Sequence, residues 1–158
     1  MNVKVIAKDA FQIIGIKRSY SLNSDENLRE IPLLWKEVNS NGTTDDLASR
    51  NDGLIKGILG VCAEAANTEH KMDYWIAVST KQKETHGYEA LTIPAANWAV
   101  FEVHGPMPAS IQKVWKQIYT EWFPSSGYIQ AGTVSLEVYG EGNPADLNYY
   151  SEIWIPVK

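Results

Sequence analysis

Glu152 stands between two large aromatics in Tyr150-Ser151-Glu152-Ile153-Trp154, and no Lys or Arg precedes it within nine residues. The stretch Tyr149–Val157 is aromatic and β-branched, so it is predicted to be a strand. Alternation then puts Tyr149, Ser151, Ile153 and Ile155 on one face and Tyr150, Glu152 and Trp154 on the other. A carboxylate walled by aromatic rings in a cleft suits a cation or a proton transfer, because desolvation raises its pKa and strengthens its field. On an open sheet face the same residue is a solvated Glu.

The remaining candidates are weighed in the same way. Trp75, Trp154, Tyr139 and Tyr150 offer stacking surfaces for a flat aromatic ligand, or else ordinary sheet packing. Trp98, at the start of a strand, is ambiguous between ligand and core, while Trp35, Trp115 and Trp122 sit on helical stripes and read as core. His104, before Gly105-Pro106, is a candidate acid, or an exposed strand end. Cys62 has no basic neighbour to activate it and reads as a small groove-lining residue. No His pair has metal-ligand spacing and no phosphate loop or nucleophile elbow is present, so neither metal nor cofactor is expected.

The whole chain narrows the ligand class. Its 158 residues carry a net charge of −5. That balance disfavours a nucleic-acid backbone and is compatible with a cationic small molecule. A single cysteine excludes an internal disulfide. Without an apolar run long enough to span a membrane or a signal segment, the expected location is the cytoplasm.

The elements that must position these residues follow from periodicity. Strands are predicted at Val3–Ile6, Phe11–Ser19, Ile58–Cys62, Met72–Ser79, Tyr88–Ile93, Trp98–His104 and Thr133–Tyr139, besides the last. A turn at Glu64–Lys71 joins the third and fourth in a hairpin. A helix is predicted over Ile31–Asn39, with Pro32 in its first turn, and Thr43–Lys56 reads as a long loop with room for a helical turn. A second helix, Pro108–Trp122, has an apolar stripe of Ile111, Val114, Trp115, Ile118, Tyr119 and Trp122.

The halves also resemble one another. Leu59–Glu64 matches Leu136–Glu141, Asp73–Val78 matches Glu152–Val157, and Trp35–Val38 matches Trp115–Ile118, at separations of 77 to 80 residues. One α+β domain is therefore expected over 1–158, built of pseudo-repeats at about 1–80 and 88–158. In that arrangement Leu59, Val61, Leu136 and Val138 face the helices. Glu137, Tyr139, Cys62, Trp75, Glu152 and Trp154 then share a groove on the opposite face.

In order along the chain, Gly105-Pro106, the Trp115/Tyr119 helix, Gly142-Asn143-Pro144 and Ser151–Val157 resemble the GyrI-like small-molecule-binding domain, the effector-binding module of multidrug-sensing regulators. The resemblance implies a tandem βαββ fold with an aromatic pocket between the halves, and a last-strand glutamate, here Glu152, that anchors cationic ligands. Some stand-alone members are hydrolases of cyclopropane-bearing alkylators, and another branch inhibits gyrase. Because the module takes up the whole chain, no direct nucleic-acid binding is expected. Three functions remain open: a binding protein, a hydrolase with Glu152 as base, and an inhibitory interaction module.

Overall fold

A computed structural model describes residues 1–64 and 70–158, without the side chain of residue 64. The turn predicted at Glu64–Lys71 therefore lies largely outside the described residues. The described residues form one antiparallel sheet of eight strands: β1 (Val3–Lys8), β2 (Phe11–Ser21), β3 (Ile58–Glu64), β4 (Lys71–Thr80), β5 (Glu89–Ile93), β6 (Ala96–His104), β7 (Ser135–Tyr139) and β8 (Tyr150–Val157). Their spatial order is β1-β6-β8-β7-β3-β4-β2-β5. The β3–β4 hairpin forms as predicted, and β3 also pairs with β7 at the centre of the sheet.

Helix α1 (Glu26–Ser40) begins earlier than its apolar stripe suggests, so Pro32 lies inside the helix instead of in its first turn. The Glu26 carboxylate accepts the Ser21 backbone N–H at 3.1 Å, and a negative group in the first turn also suits the helix dipole. The loop after it contains α2 (Thr43–Ser49), whose Leu47 is fully buried. Helix α3 (Ala109–Gln117) continues through a π-helical turn (Ile118–Trp122) into α4 (Phe123–Ser126). The wide turn rephases the helix: Tyr119 stays stacked on Trp115, while Trp122 packs edge-on against Phe101 of β6 at 4.9 Å.

All the helices cover one face of the sheet. Leu34, Val38 and Leu47 pack on Ile14, Tyr74, Ile76 and Val78 in the first half. In the second half Ile111 and Ile118 pack on Phe101, Val103, Ile153 and Ile155.

The other face is closed as well. Strands β1 and β2 are separated by only Asp9 and Ala10, yet lie six strand spacings apart in the sheet. A flat sheet would hold them roughly 29 Å apart, whereas three Cα steps reach at most about 11 Å. The sheet must therefore curl. Phe11, Ile13, Ile93, Trp98, Val100, Trp154, Trp75, Leu59, Val61, Leu136 and Val138 meet inside the curl in one core. This corrects the expected arrangement in two ways. The face opposite the helices is filled by its own side chains instead of forming a groove. Leu59, Val61, Leu136 and Val138 lie on that inner face, not under the helices.

Candidate functional site

Ladder register decides which residues meet. Across β7 and β8, Leu136 pairs with Trp154, Val138 with Glu152, and Glu137 with Ile153. Directly paired residues share a face, and a shift of one residue exchanges faces. Glu137 and Tyr139 therefore lie under the helices, and Glu152 and Trp154 lie inside the curl. Across the central seam Glu137 pairs with Gly60, Tyr139 with Ile58, and Cys62 with both Ser135 and Tyr74.

A polar cluster forms over this seam, between α1 and α3. The Trp115 indole on α3 donates to Glu137 Oε2 at 2.9 Å, and the Tyr139 hydroxyl donates to Oε1 at 3.0 Å. From α1, Trp35 donates its indole N–H to Tyr74 Oη at 2.8 Å and sets its ring edge-on to Tyr139, with centroids 5.0 Å apart. Tyr119 stacks on Trp115, with planes 8° apart and centroids at 6.1 Å. Gly60 supplies the room: a Cβ there would stand 2.5 Å from Tyr74 Oη and 3.5 Å from a Tyr139 ring carbon. The two matching helix tryptophans, expected in the core, thus reach polar partners on the seam, one from each half.

Glu137 retains some solvent contact, yet protein surrounds its carboxylate nearly completely. Burial raises its pKa, and the two hydrogen bonds, which favour the ionised form, only partly offset this. Among the described residues no Lys, Arg or His forms an ion pair with it. Burial and the nearby Glu137 push the Cys62 thiol up to about 12, and the same two causes raise the Tyr139 and Tyr74 phenols. The site is therefore a desolvated carboxylate among aromatic rings, with neutral donors on both oxygens and, among the described residues, no resident cation.

The sequence candidates divide between the two faces. Tyr139 and Cys62 belong to the seam. Glu152, Tyr150 and Trp154 come together as the alternation implies, but on the inner face: Tyr150 donates to Glu152 Oε2 at 2.6 Å and Trp154 Nε1 to Oε1 at 3.0 Å. Glu102 lies directly opposite Glu152, and its pKa is lowered by hydrogen bonds from Asn2 and His104. His104 is exposed, 3.5 Å from Glu102 and edge-on to Tyr150. Trp75, Trp98 and Trp154, at 4%, 1% and 5% exposure, pack in the inner core instead of walling a groove with Tyr139. Glu137, Tyr74, Trp35, Trp115 and Gly60 complete the seam: Glu137 and Gly60 were expected on the groove face with no ligand role, Tyr74 as a hydroxyl donor to the groove or a core residue, and the two tryptophans in the core. Two signals were legible: the strand alternation that groups Glu137 with Tyr139, and the Trp35/Trp115 match.

The chain matches the family model of the GyrI-like small molecule binding domain over residues 1–158. Among solved structures, SAV2435 bound to tetraphenylphosphonium is 26% identical, with a TM-score of 0.89 over 100% of this chain and 94% of that one. A Staphylococcus aureus MU50 protein, named for bacterial transcription regulation, is 27% identical, with a TM-score of 0.86 over 100% and 99%. The EcmrR C-terminal domain shares the fold at 14% identity and a TM-score of 0.58, over 99% and 97%. No curated protein matches the sequence.

Proposed function

This chain belongs to the GyrI-like small-molecule-binding domain family, and we propose that it binds a flat, hydrophobic cation in the seam between β3 and β7, with Glu137 as counter-charge. The observation that carries this reading is a buried carboxylate held by Trp115 and Tyr139 with no cationic partner among the described residues. An unpaired buried charge is costly, so the site gains most from a guest that brings the opposite charge. The rings of Trp35, Trp115, Tyr119 and Tyr139 present π faces and edges suited to an aromatic cation. A hydrophobic cation loses less hydration on entry than an alkali ion does. The ligand named for SAV2435 is of this class.

The strand order supports a duplicated design. The segments β2-α1-β3-β4 and β6-α3-β7-β8 occupy mirrored places on either side of the β3–β7 junction. We take residues 1–158 as one domain of two such halves, with the site where they meet, a common location for ligands.

Glu152 is the alternative anchor, favoured because it also accepts one indole N–H and one phenol O–H. It ranks second because the Lys8 ammonium already lies 5.8 Å from the Trp154 ring centroid.

Tetraphenylphosphonium and tetraphenylborate have nearly the same shape and opposite charge. Titration of the seam tryptophans' fluorescence is expected to show saturable binding of the cation and at least tenfold weaker binding of the anion. Equal affinities would overturn the assignment.

A further inference from the structure

We propose that Tyr74 is a second, specificity-determining anchor of the seam, donating its hydroxyl proton to an acceptor atom carried by the bound cation. This rests on the reading of the seam as the binding site and adds to the ligand class an oxygen or nitrogen acceptor near the positive charge.

Three observations carry the assignment. Tyr74 is 2% exposed, and its oxygen accepts the Trp35 indole N–H. Among the described residues no group accepts the Tyr74 hydroxyl proton in return. Buried polar groups normally use their hydrogen-bonding capacity, because desolvation without a partner is expensive. A phenylalanine would fill the same space without that cost.

The second observation is position. Tyr74 Oη lies directly over Gly60, closely enough that a Cβ there would collide with it at 2.5 Å. Gly60 is the cross-strand partner of Glu137, so the hydroxyl and the carboxylate occupy neighbouring places on the same face.

The third observation is the cover. Trp35 is half-buried and comes from α1, whereas Tyr74 stands on the sheet. When a guest displaces the indole, the phenol keeps its proton and regains a lone pair, both facing the seam. Glu137 has its two oxygens engaged by Trp115 and Tyr139, so it supplies charge, and Tyr74 supplies the uncommitted donor.

The test uses two isosteric cations, 3-phenylpropyltriphenylphosphonium and 2-phenoxyethyltriphenylphosphonium, in which an ether oxygen replaces one methylene. The wild-type chain is expected to bind the ether about fivefold more tightly, the worth of one neutral hydrogen bond. Tyr74→Phe should erase that preference. Trp35→Phe breaks the same Trp35–Tyr74 bond but leaves the hydroxyl, so it should keep the preference even if both affinities change. No preference in the wild type, or a preference that survives Tyr74→Phe, overturns the proposal. If neither cation binds, or if Glu137→Gln leaves both affinities unchanged, the reading of the seam itself fails.

Discussion

Replacing Glu137 by Gln removes the charge from the seam with almost no change in volume. A cation centred about 5 Å from the carboxylate, at an effective dielectric of about 20, gains roughly 3 kcal/mol. Losing that interaction weakens binding about 100-fold. The amide oxygen can still accept from the Trp115 indole while the amide nitrogen donates to the Tyr139 hydroxyl, so the cost is the replacement of two charge-assisted hydrogen bonds by neutral ones, about 1 kcal/mol of folding stability. Relief of a desolvated charge opposes that cost. The pH dependence separates the two effects. Burial holds the folded-state pKa of Glu137 above its ordinary 4.5, so the folded chain binds more protons than the unfolded chain between the two values. Its contribution to stability is therefore fully present below about 4.5 and is lost as pH rises through the folded value. The variant lacks this loss, so the stability difference should move in its favour between pH 4 and pH 7. Cation affinity should do the opposite in the wild type, falling as acid neutralises Glu137, and should stay flat in the variant. Calorimetric titration with tetraphenylphosphonium at pH 5 and pH 7.5, alongside urea unfolding, reads both. A variant that binds within threefold of the wild type at pH 7.5 would refute the reasoning.

Further expectations concern the same geometry. Gly60→Ala forces the Tyr74 hydroxyl away from a Cβ placed at 2.5 Å, and should destabilise by about 2–4 kcal/mol through overpacking and the weakened Trp35 bond, seen as a lower Tm. Glu152→Gln should change tetraphenylphosphonium affinity less than twofold, because that carboxylate is on the inner face; a loss near that of Glu137→Gln would make Glu152 the anchor. Trp98→Ala should cost about 3–5 kcal/mol in denaturant unfolding, while ligand affinity below the transition persists. Trp115→Phe, which deletes the indole N–H on Glu137, should raise the carboxyl pKa further and shift the midpoint of the pH–affinity curve upward.

Much of the fold was legible in the sequence. Strands were visible from β-branched and aromatic runs such as Ile58–Cys62 and Trp98–His104, and the α3 stripe from its helical spacing. The helix start at Glu26 was not fixed because the polar, acidic run Ser21–Glu30 suits a loop as well as a helix entry. The one-residue error in face assignment has a specific cause. Alternation shows that Leu136 and Glu137 point to opposite sides, but it marks the helix-covered side only when the other side is wet. Here both sides are buried, one by helices and one by the curl, so the larger apolar residues gave no guide.

The residue types alone determined an antiparallel α+β chain, rich in indoles and phenols, in which an acidic group is set among aromatic residues. The tertiary structure sets two such groups, Glu137 and Glu152, each between an indole and a phenol but on opposite faces of the sheet. Cross-strand register and the two-residue β1–β2 link place Trp98 and Trp154 inside the curl and leave Glu137 under Trp115. Both depend on pairings between strands far apart in sequence, which local spacing does not encode.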